Sequence, residues 1–397
     1  MKILLTTDAF YPMINGVVIS TNNLYKELKA MGHDVRILTL SHTGEERVDG
    51  DIYYLKSFKI NVYPDARIKT PFHYSIIKEI LKWEPEVIHS QTEFSTMLVA
   101  KHIARKLNIP QIHTYHTMYE DYLGYILGGK VLRKGGAAKV TRFILDSVDE
   151  VIAPTDKTKQ ALIDYGIHST INIIPTGIDL SKFQRIVTEE EKEELLFNLG
   201  LNKDNRIMAY VGRIAEEKNI DEVIVNFEQV LERVHNAKLL ILGGGPHLED
   251  LKVLVAEKGL VDSVIFTGMV DPTEVYKYYK IADLFVTAST SETQGLTYIE
   301  ALSCGCPVVC RYDKVVDGVI VQGSNGFSYK NSWEFMLYSS EILLNNELRK
   351  ELSCKASSAS KEYSSETFAK RVLDLYYKAL NYGVITQRQA RASGVHY

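Results

Sequence analysis

Two carboxylates, Glu292 and Glu300, stand eight positions apart across a glycine in Ser291-Glu292-Thr293-Gln294-Gly295-Leu296-Thr297-Tyr298-Ile299-Glu300. An ionised carboxylate accepts several hydrogen bonds, so such a pair suits the recognition of hydroxyl groups. The β-branched, apolar run Asp283–Thr287 ahead of it reads as a buried strand, and the segment from about Gly295 onward reads as a helix. Glu292 then falls in the strand-to-helix turn, and Glu300 about one and a half turns into the helix. A glycine turn ahead of a helix N-terminus holds anions on backbone N–H groups. Hydroxyl recognition beside anion binding describes a sugar nucleotide.

Other segments carry related chemistry. Gly212-Arg213-Ile-Ala-Glu-Glu-Lys218-Asn219 follows a strand and precedes a helix. Arg213 and Lys218 reach one phosphate pair from its rim, Arg with a fork of donors and Lys with a point charge. The alternative is an ion pair with Glu216 or Glu217. In Ile241-Leu-Gly-Gly-Gly-Pro246 the glycines serve either a tight turn or close ligand approach. Asn15-Gly16-Val17, after the first strand, turns into a helix whose N–H groups suit a diphosphate. That segment lacks Gly-x-Gly-x-x-Gly, which argues against a dinucleotide dehydrogenase. His113 and His116 follow a strand, where open α/β sheets place their sites. Asp49-Gly50-Asp51 reads as a solvated turn.

The elements that must position these residues alternate. Lys2–Thr6, Asp34–Leu40, Glu86–Ser90, Gln111–Thr114 and Glu150–Ala153 read as strands separated by helical patterns, a βαβ rhythm that predicts a parallel sheet. The rhythm restarts after Pro175-Thr-Gly-Ile-Asp179, with strands at Arg206–Val211, Lys238–Leu242, Val264–Thr267, Leu284–Thr287 and Pro307–Cys310. A chain of 397 residues exceeds the size at which one core keeps growing. Two domains are therefore expected, 1–180 and 181–365, with a helix over about 366–382 returning to the first through Phe368, Val372, Leu375 and Tyr376.

A net charge of −4 gives no reason to expect a nucleic-acid partner. Cys304, Cys306 and Cys310 cluster without a nearby His and read as buried reduced thiols. No apolar stretch approaches membrane-spanning length, so any membrane contact is expected to be peripheral. Tyr122–Leu145 carries five cations (Lys130, Arg133, Lys134, Lys139, Arg142) among aromatic and aliphatic residues and no acid. It reads as an interfacial segment for anionic lipid, the alternative being a solvated basic face.

Together these segments resemble the retaining glycosyltransferases of family four, built from two facing Rossmann-like domains (the GT-B architecture). Pro85-Glu-Val-Ile-His89-Ser-Gln-Thr-Glu93 and Thr114-Tyr-His-Thr-Met-Tyr-Glu-Asp-Tyr122 resemble the bacterial diacylglycerol 3-α-glucosyltransferases. The resemblance implies transfer of glucose from UDP-glucose to diacylglycerol with retention, peripherally on the cytoplasmic face of the membrane. It implies Arg213 and Lys218 as the diphosphate clamp, helped by Asn15, Gly16, Val17 and Gly212. It places uracil on Gly268 and Val270, sugar hydroxyls on Glu292 with Thr293, Gln294, Gly295 and Leu296, and ribose on Glu300. His116 faces the donor sugar, with His113 as internal support. No cofactor and no metal is expected, because the cations supply the counter-charge. The same donor chemistry on a phosphatidylinositol, a polyprenyl-linked glycan or a protein serine is the alternative.

Overall fold

Runs of leucine, isoleucine and valine too short for helices supply the strands, and helical segments with an apolar face follow most of them. The computed structural model describes residues 1–13, 15–59, 67–69, 75–116 and 141–392, of which 382–392 as helical backbone only. The chain divides into two units, Met1–Gly177 with Ser365–Tyr397, and Ile178–Ser364.

In the first unit the strands are β1 (Lys2–Thr6), β2 (Asp34–Leu40), β3 (Arg47–Asp49), β4 (Ile52–Leu55), β5 (Ser57–Lys59), β6 (Arg67–Lys69), β7 (Val87–Ser90), β8 (Gln111–Thr114), β9 (Glu150–Ala153) and β10 (Thr170–Ile173). Eight of them form one sheet in the order β10-β9-β8-β7-β1-β2-β4-β3, while β5 and β6 pair separately. All neighbours in the large sheet run parallel except the edge hairpin β3–β4. Ile3, Leu4 and Leu5 are fully buried, as expected of a central parallel strand covered on both faces. The winding proceeds from β1 through β2 to β4, then reverses to β7 on the other side of β1, with Thr6 level with Ser90. That reversal leaves a crevice beyond the strand C-termini between β1 and β7.

The helix Ser365–Ala392 belongs to this unit. Phe368, Val372, Leu375 and Tyr376 pack with Leu24, Leu28 and Ile37, and Ser365 Oγ donates to Glu27 at 2.6 Å. Asp49-Gly50-Asp51 is the β3–β4 turn, and the Asp51 carboxylate accepts from Tyr25 (2.9 Å) and Lys29 (2.8 Å).

In the second unit β11 (Arg206–Val211), β12 (Ala237–Leu242), β13 (Val264–Gly268), β14 (Leu284–Thr287), β15 (Val308–Arg311) and β16 (Gly326–Tyr329) form an all-parallel sheet, ordered β13-β12-β11-β14-β15-β16. Here the winding reverses between β11 and β14. The strand β16 carries no apolar run. Its Gly326 lies so close to β15 that a Cβ would enter the backbone of Val308. Both units are Rossmann-like. Among the described residues no helix is long and apolar enough to cross a membrane.

Candidate active site

Each reversal point gathers polar side chains. In the second unit β11 ends at Val211, and Gly212-Arg213 lead into the short turn Glu216–Lys218 before the helix Ile220–Arg233. Asn219 bridges turn and helix with φ 50°, a left-handed conformation that asparagine tolerates. Its side chain donates to the Ala288 carbonyl (3.2 Å), just beyond β14, and Ser291 Oγ donates to the Glu217 carbonyl (3.1 Å). The two loops are thereby stitched across the crevice. Lys218 Nζ meets Glu292 Oε1 at 2.6 Å, and Ser289 Oγ donates to the same oxygen at 2.8 Å. Arg213 pairs with Glu217.

The ion-pair alternative therefore holds for Arg213, whereas Lys218 reaches across to the next strand. Neither pairing removes the cations from the rim. It holds two side chains of high conformational entropy beside the reversal point. The Tyr210 hydroxyl donates to the Arg213 carbonyl at 3.0 Å. Burial, then the Glu292 and Glu217 carboxylates, push that phenol far up, so it keeps its proton and its hold on the loop.

Gly295 adopts φ 72° at the start of the helix Leu296–Ser303, and a Cβ there would lie 2.5 Å from the Tyr298 ring. Thr293 and Gln294 precede it in the same turn. Glu300 lies within that helix, its Oε2 accepting from the Tyr279 hydroxyl at 3.1 Å. Burial pushes its carboxyl up to about 7, against the opposing effects of Tyr279 and Lys182. The triple glycine has a backbone explanation at two positions: a Cβ on Gly243 would enter the Gly212 carbonyl, and one on Gly245 the Ile214 carbonyl. Gly268 ends β13, and its carbonyl accepts from Gly243 N at 3.0 Å. The Val270 side chain packs with Leu240 and Leu242.

In the first unit Asn15 caps the helix Gly16–Ala30, its Oδ1 accepting from Val18 N at 3.0 Å. Gly16 and Val17 open that helix at the C-terminal end of β1. Asp8 follows β1 and accepts from Thr92 Oγ1 (2.6 Å) and Thr96 N (3.0 Å), tying β1 to the helix Ser95–Leu107. Burial raises its carboxyl to about 6 despite those bonds. His116 lies two residues past β8, with Nε2 2.8 Å from Gln91 Oε1. Burial lowers its pKa to about 4, Glu93 opposing and His113 assisting. It is therefore a neutral imidazole giving its Nε2 hydrogen to Gln91. His113 is fully buried between Glu93 (3.2 Å) and Ser90 (3.0 Å). His89, fully buried, links Tyr376 of the last helix to Thr114, both at 2.7 Å.

Sequence reasoning missed several of these partners. Gln91 stands next after β7 at the reversal point, a position that points to a site; its Nε2 is buried with no partner among the described residues. His247 ties Asp221, at the start of the helix after Lys218, to Asp250, with contacts of 3.0 Å to each. Burial lowers its pKa, but the two carboxylates outweigh it and the net shift is upward. Lys130, Arg133, Lys134 and Lys139 lie outside the described residues; Arg142 pairs with Asp146 at 3.2 Å. Among the described residues no group of three His, Cys, Asp or Glu is arranged to hold a metal ion.

Residues 14–182 match the model of Glycosyltransferase Family 4, and residues 191–359 that of Glycosyl transferases group 1. The chain is 37% identical to the alpha-monoglucosyldiacylglycerol synthase of Streptococcus pneumoniae, over 96% of this chain and 86% of the relative. It is 32% identical to the enzyme of the same name from Acholeplasma laidlawii, over 95% of this chain and 96% of the relative. A crystal structure of HepE from Anabaena in complex with UDP and glucose superposes with a TM-score of 0.74 at 16% identity, covering 95% of this chain and 100% of that one. That likeness gives the fold as GT-B.

Proposed function

This chain belongs to glycosyltransferase family 4, and from that premise we propose that it transfers glucose from UDP-glucose to the free hydroxyl of diacylglycerol, with retention at the anomeric carbon. The observation that carries the donor side is the Lys218–Glu292 pair, 2.6 Å across the β11–β14 reversal, with Arg213 on the same loop. Cations held there neutralise the diphosphate as it departs, and such pre-aimed charge is the largest electrostatic contribution open to the site. The lipid acceptor rests on the names of the two relatives above, which align over nearly the whole chain.

In this reading Glu292, with Thr293, Gln294, Gly295 and Leu296, binds sugar hydroxyls. Glu300 binds the ribose, and Gly268 and Val270 support the base. The helix start at Asn15, Gly16 and Val17 and the turn at Gly212 complete the diphosphate contacts. His116, neutral and fixed by Gln91, presents a hydrogen-bonding edge to the sugar. The acceptor oxygen bonds to the anomeric carbon on the face that the diphosphate leaves. The acceptor proton passes to the departing phosphate oxygen, so no carboxylate nucleophile is needed, unlike in retaining hydrolases. No metal takes part, since Arg213 and Lys218 supply the counter-charge. The enzyme works peripherally on the inner face of the cell membrane, on anionic lipid.

Labelled UDP-glucose, UDP-galactose and diacylglycerol vesicles test this by thin-layer analysis, with the anomeric configuration read by NMR. An α-glucosyl diacylglycerol is the expected product. A product formed only on phosphatidylinositol, a polyprenyl glycan or a protein serine would replace the acceptor.

A further inference from the structure

At the β1–β7 reversal point one buried amide nitrogen has no partner among the described residues. It belongs to Gln91, the first residue past β7, whose backbone N donates at 2.8 Å to the carbonyl of Thr6, the last residue of β1. The next residue is pinned as well, since Thr92 Oγ1 donates to Asp8 at 2.6 Å. The backbone on both sides thus fixes where the Gln91 side chain starts. That side chain is 1% exposed, and its Oε1 takes the His116 Nε2 hydrogen at 2.8 Å. Its own Nε2 carries two hydrogens, and neither finds an acceptor among the described residues.

The nitrogens around it are satisfied. His89 bonds Tyr376 and Thr114, His113 bonds Ser90 and Glu93, and Gln111 Nε2 donates to Ser90 Oγ at 3.3 Å. A buried donor left unmade is costly, and in a strand end that is otherwise satisfied it marks a place where something binds. The local charge selects a neutral oxygen. Segments 3–10, 87–96 and 111–116, which supply these strand ends, hold no lysine or arginine, whereas Asp8 and Glu93 bring two carboxyl groups. A phosphate or carboxylate beside Gln91 faces like charge, while a hydroxyl oxygen accepts from the amide without that cost.

We infer that Gln91 serves the transferred sugar in two ways: its Oε1 locks His116 in the Nε2–H tautomer, and its Nε2 donates to a hydroxyl oxygen of that sugar. The inference rests on the transferase reading above and adds to it a residue that discriminates among sugars by a single hydroxyl. One carboxamide ties the two roles together, because the end held by His116 sets the direction of the other end. The tautomer follows from the same bond, since an imidazole that gives its Nε2 hydrogen to Gln91 keeps its lone pair on Nδ1. His116 is half-buried and Gln91 fully buried, which puts the ring at the edge of the crevice and the amide deeper in it. A site built to bond a hydroxyl rejects the analogue that lacks it, because the buried donor is then left unpaired.

Two variants of the full chain test the inference: Gln91→Leu, close in size and without the amide, and Gln91→Glu, which keeps an acceptor and adds a charge. Steady-state kinetics compares UDP-glucose with its monodeoxy analogues. The wild type is expected to disfavour one analogue by about tenfold or more. Gln91→Leu is expected to lower kcat/KM for UDP-glucose by about tenfold and to lose that discrimination. Binding of UDP alone, read by calorimetry, stays at the wild-type level in both variants and shows that they fold. Nitrogen NMR of the histidines reads the tautomer, with His116 as Nε2–H in the wild type and as a mixture in Gln91→Leu. In Gln91→Glu the ring titrates at higher pH, because the new carboxylate joins Glu93 in favouring the imidazolium against burial and His113. Unchanged discrimination in Gln91→Leu overturns the inference even where the melting temperature falls, since the amide then holds only a structural water. An Nδ1–H ring in the wild type overturns it too, because the amide is then turned the other way. A wild type that transfers nothing from UDP-glucose sinks the transferase reading and the inference with it, an outcome distinct from an active wild type whose Gln91→Leu variant discriminates unchanged.

Discussion

The two reversal points share a topology and differ in electrostatics. At β11–β14 the side chains are charged and partly exposed, paired as Lys218–Glu292 and Arg213–Glu217. At β1–β7 they are mostly buried, and two of the three histidines, His89 and His116, are held neutral by burial. A crevice lined with paired ions answers an anion, because a phosphate can exchange with a carboxylate at a cation already in position. A crevice lined with neutral hydrogen-bonding groups answers hydroxyls, where orientation matters more than charge. In the proposed reading one architecture hosts two kinds of recognition, and the side chains at the strand ends decide which.

The sharpest way to break this contrast is to remove charge from one site and a neutral bond from the other. Lys218→Ala and Arg213→Ala are each expected to cost about 2–4 kcal/mol in kcat/KM, by analogy with lost oxyanion donors. His116→Ala is expected to cost about 1 kcal/mol, the value of a neutral hydrogen bond. Steady-state kinetics on the three purified, folded variants measures both. Equal losses at the two sites would erase the distinction, and near-wild-type rates for both cation variants would remove the clamp.

Glu300 sharpens the contrast from the buried side. With a pKa of about 7 in the folded chain against an ordinary 4.5, it keeps its proton while the unfolded chain releases one. Wild-type stability therefore falls as pH rises from 4.5 to 7, and the loss is complete above that window. Glu300→Gln lacks the penalty: its melting temperature should exceed the wild type's at pH 8 and match it at pH 4. The same variant should raise the Michaelis constant for the donor with little change in kcat, as expected for lost nucleotide binding. A collapse of turnover at unchanged donor affinity would move Glu300 into the catalytic step.

Smaller effects follow. Asn15→Ala removes a cap bond and should lower stability by about 1 kcal/mol in urea unfolding, with donor affinity falling only if the start of that helix meets the diphosphate. Excess chelator is expected to have no effect on activity. Loss of turnover that magnesium or manganese restores would give the counter-charge role to a metal and away from Arg213 and Lys218.

Much of the fold was legible in the chain. The central strands are unbroken apolar runs, so β1, β11 and β14 were readable to the residue, and the spacing of Phe368, Val372, Leu375 and Tyr376 marked the buried face of the last helix. Strand β16 was not, because its apolar residues Phe327 and Tyr329 form no run and its Gly326, which lets the strand lie close against Val308, is not a strand signal.

For the candidate site, the sequence by itself determined which residue types stand at the strand ends, since local periodicity places each turn. Only the tertiary structure decided their partners. Lys218 and Glu292 lie 74 positions apart in the chain and 2.6 Å apart in space, because β14 returns beside β11. His89 and Tyr376 lie 287 apart and meet at 2.7 Å, because the last helix packs back on the first unit. Burial likewise depends on the whole packed unit, so the raised carboxyl of Glu300 and the neutral ring of His116 could not be read from spacing. Local sequence sets the identity of the groups, and long-range packing sets their partners and their charge.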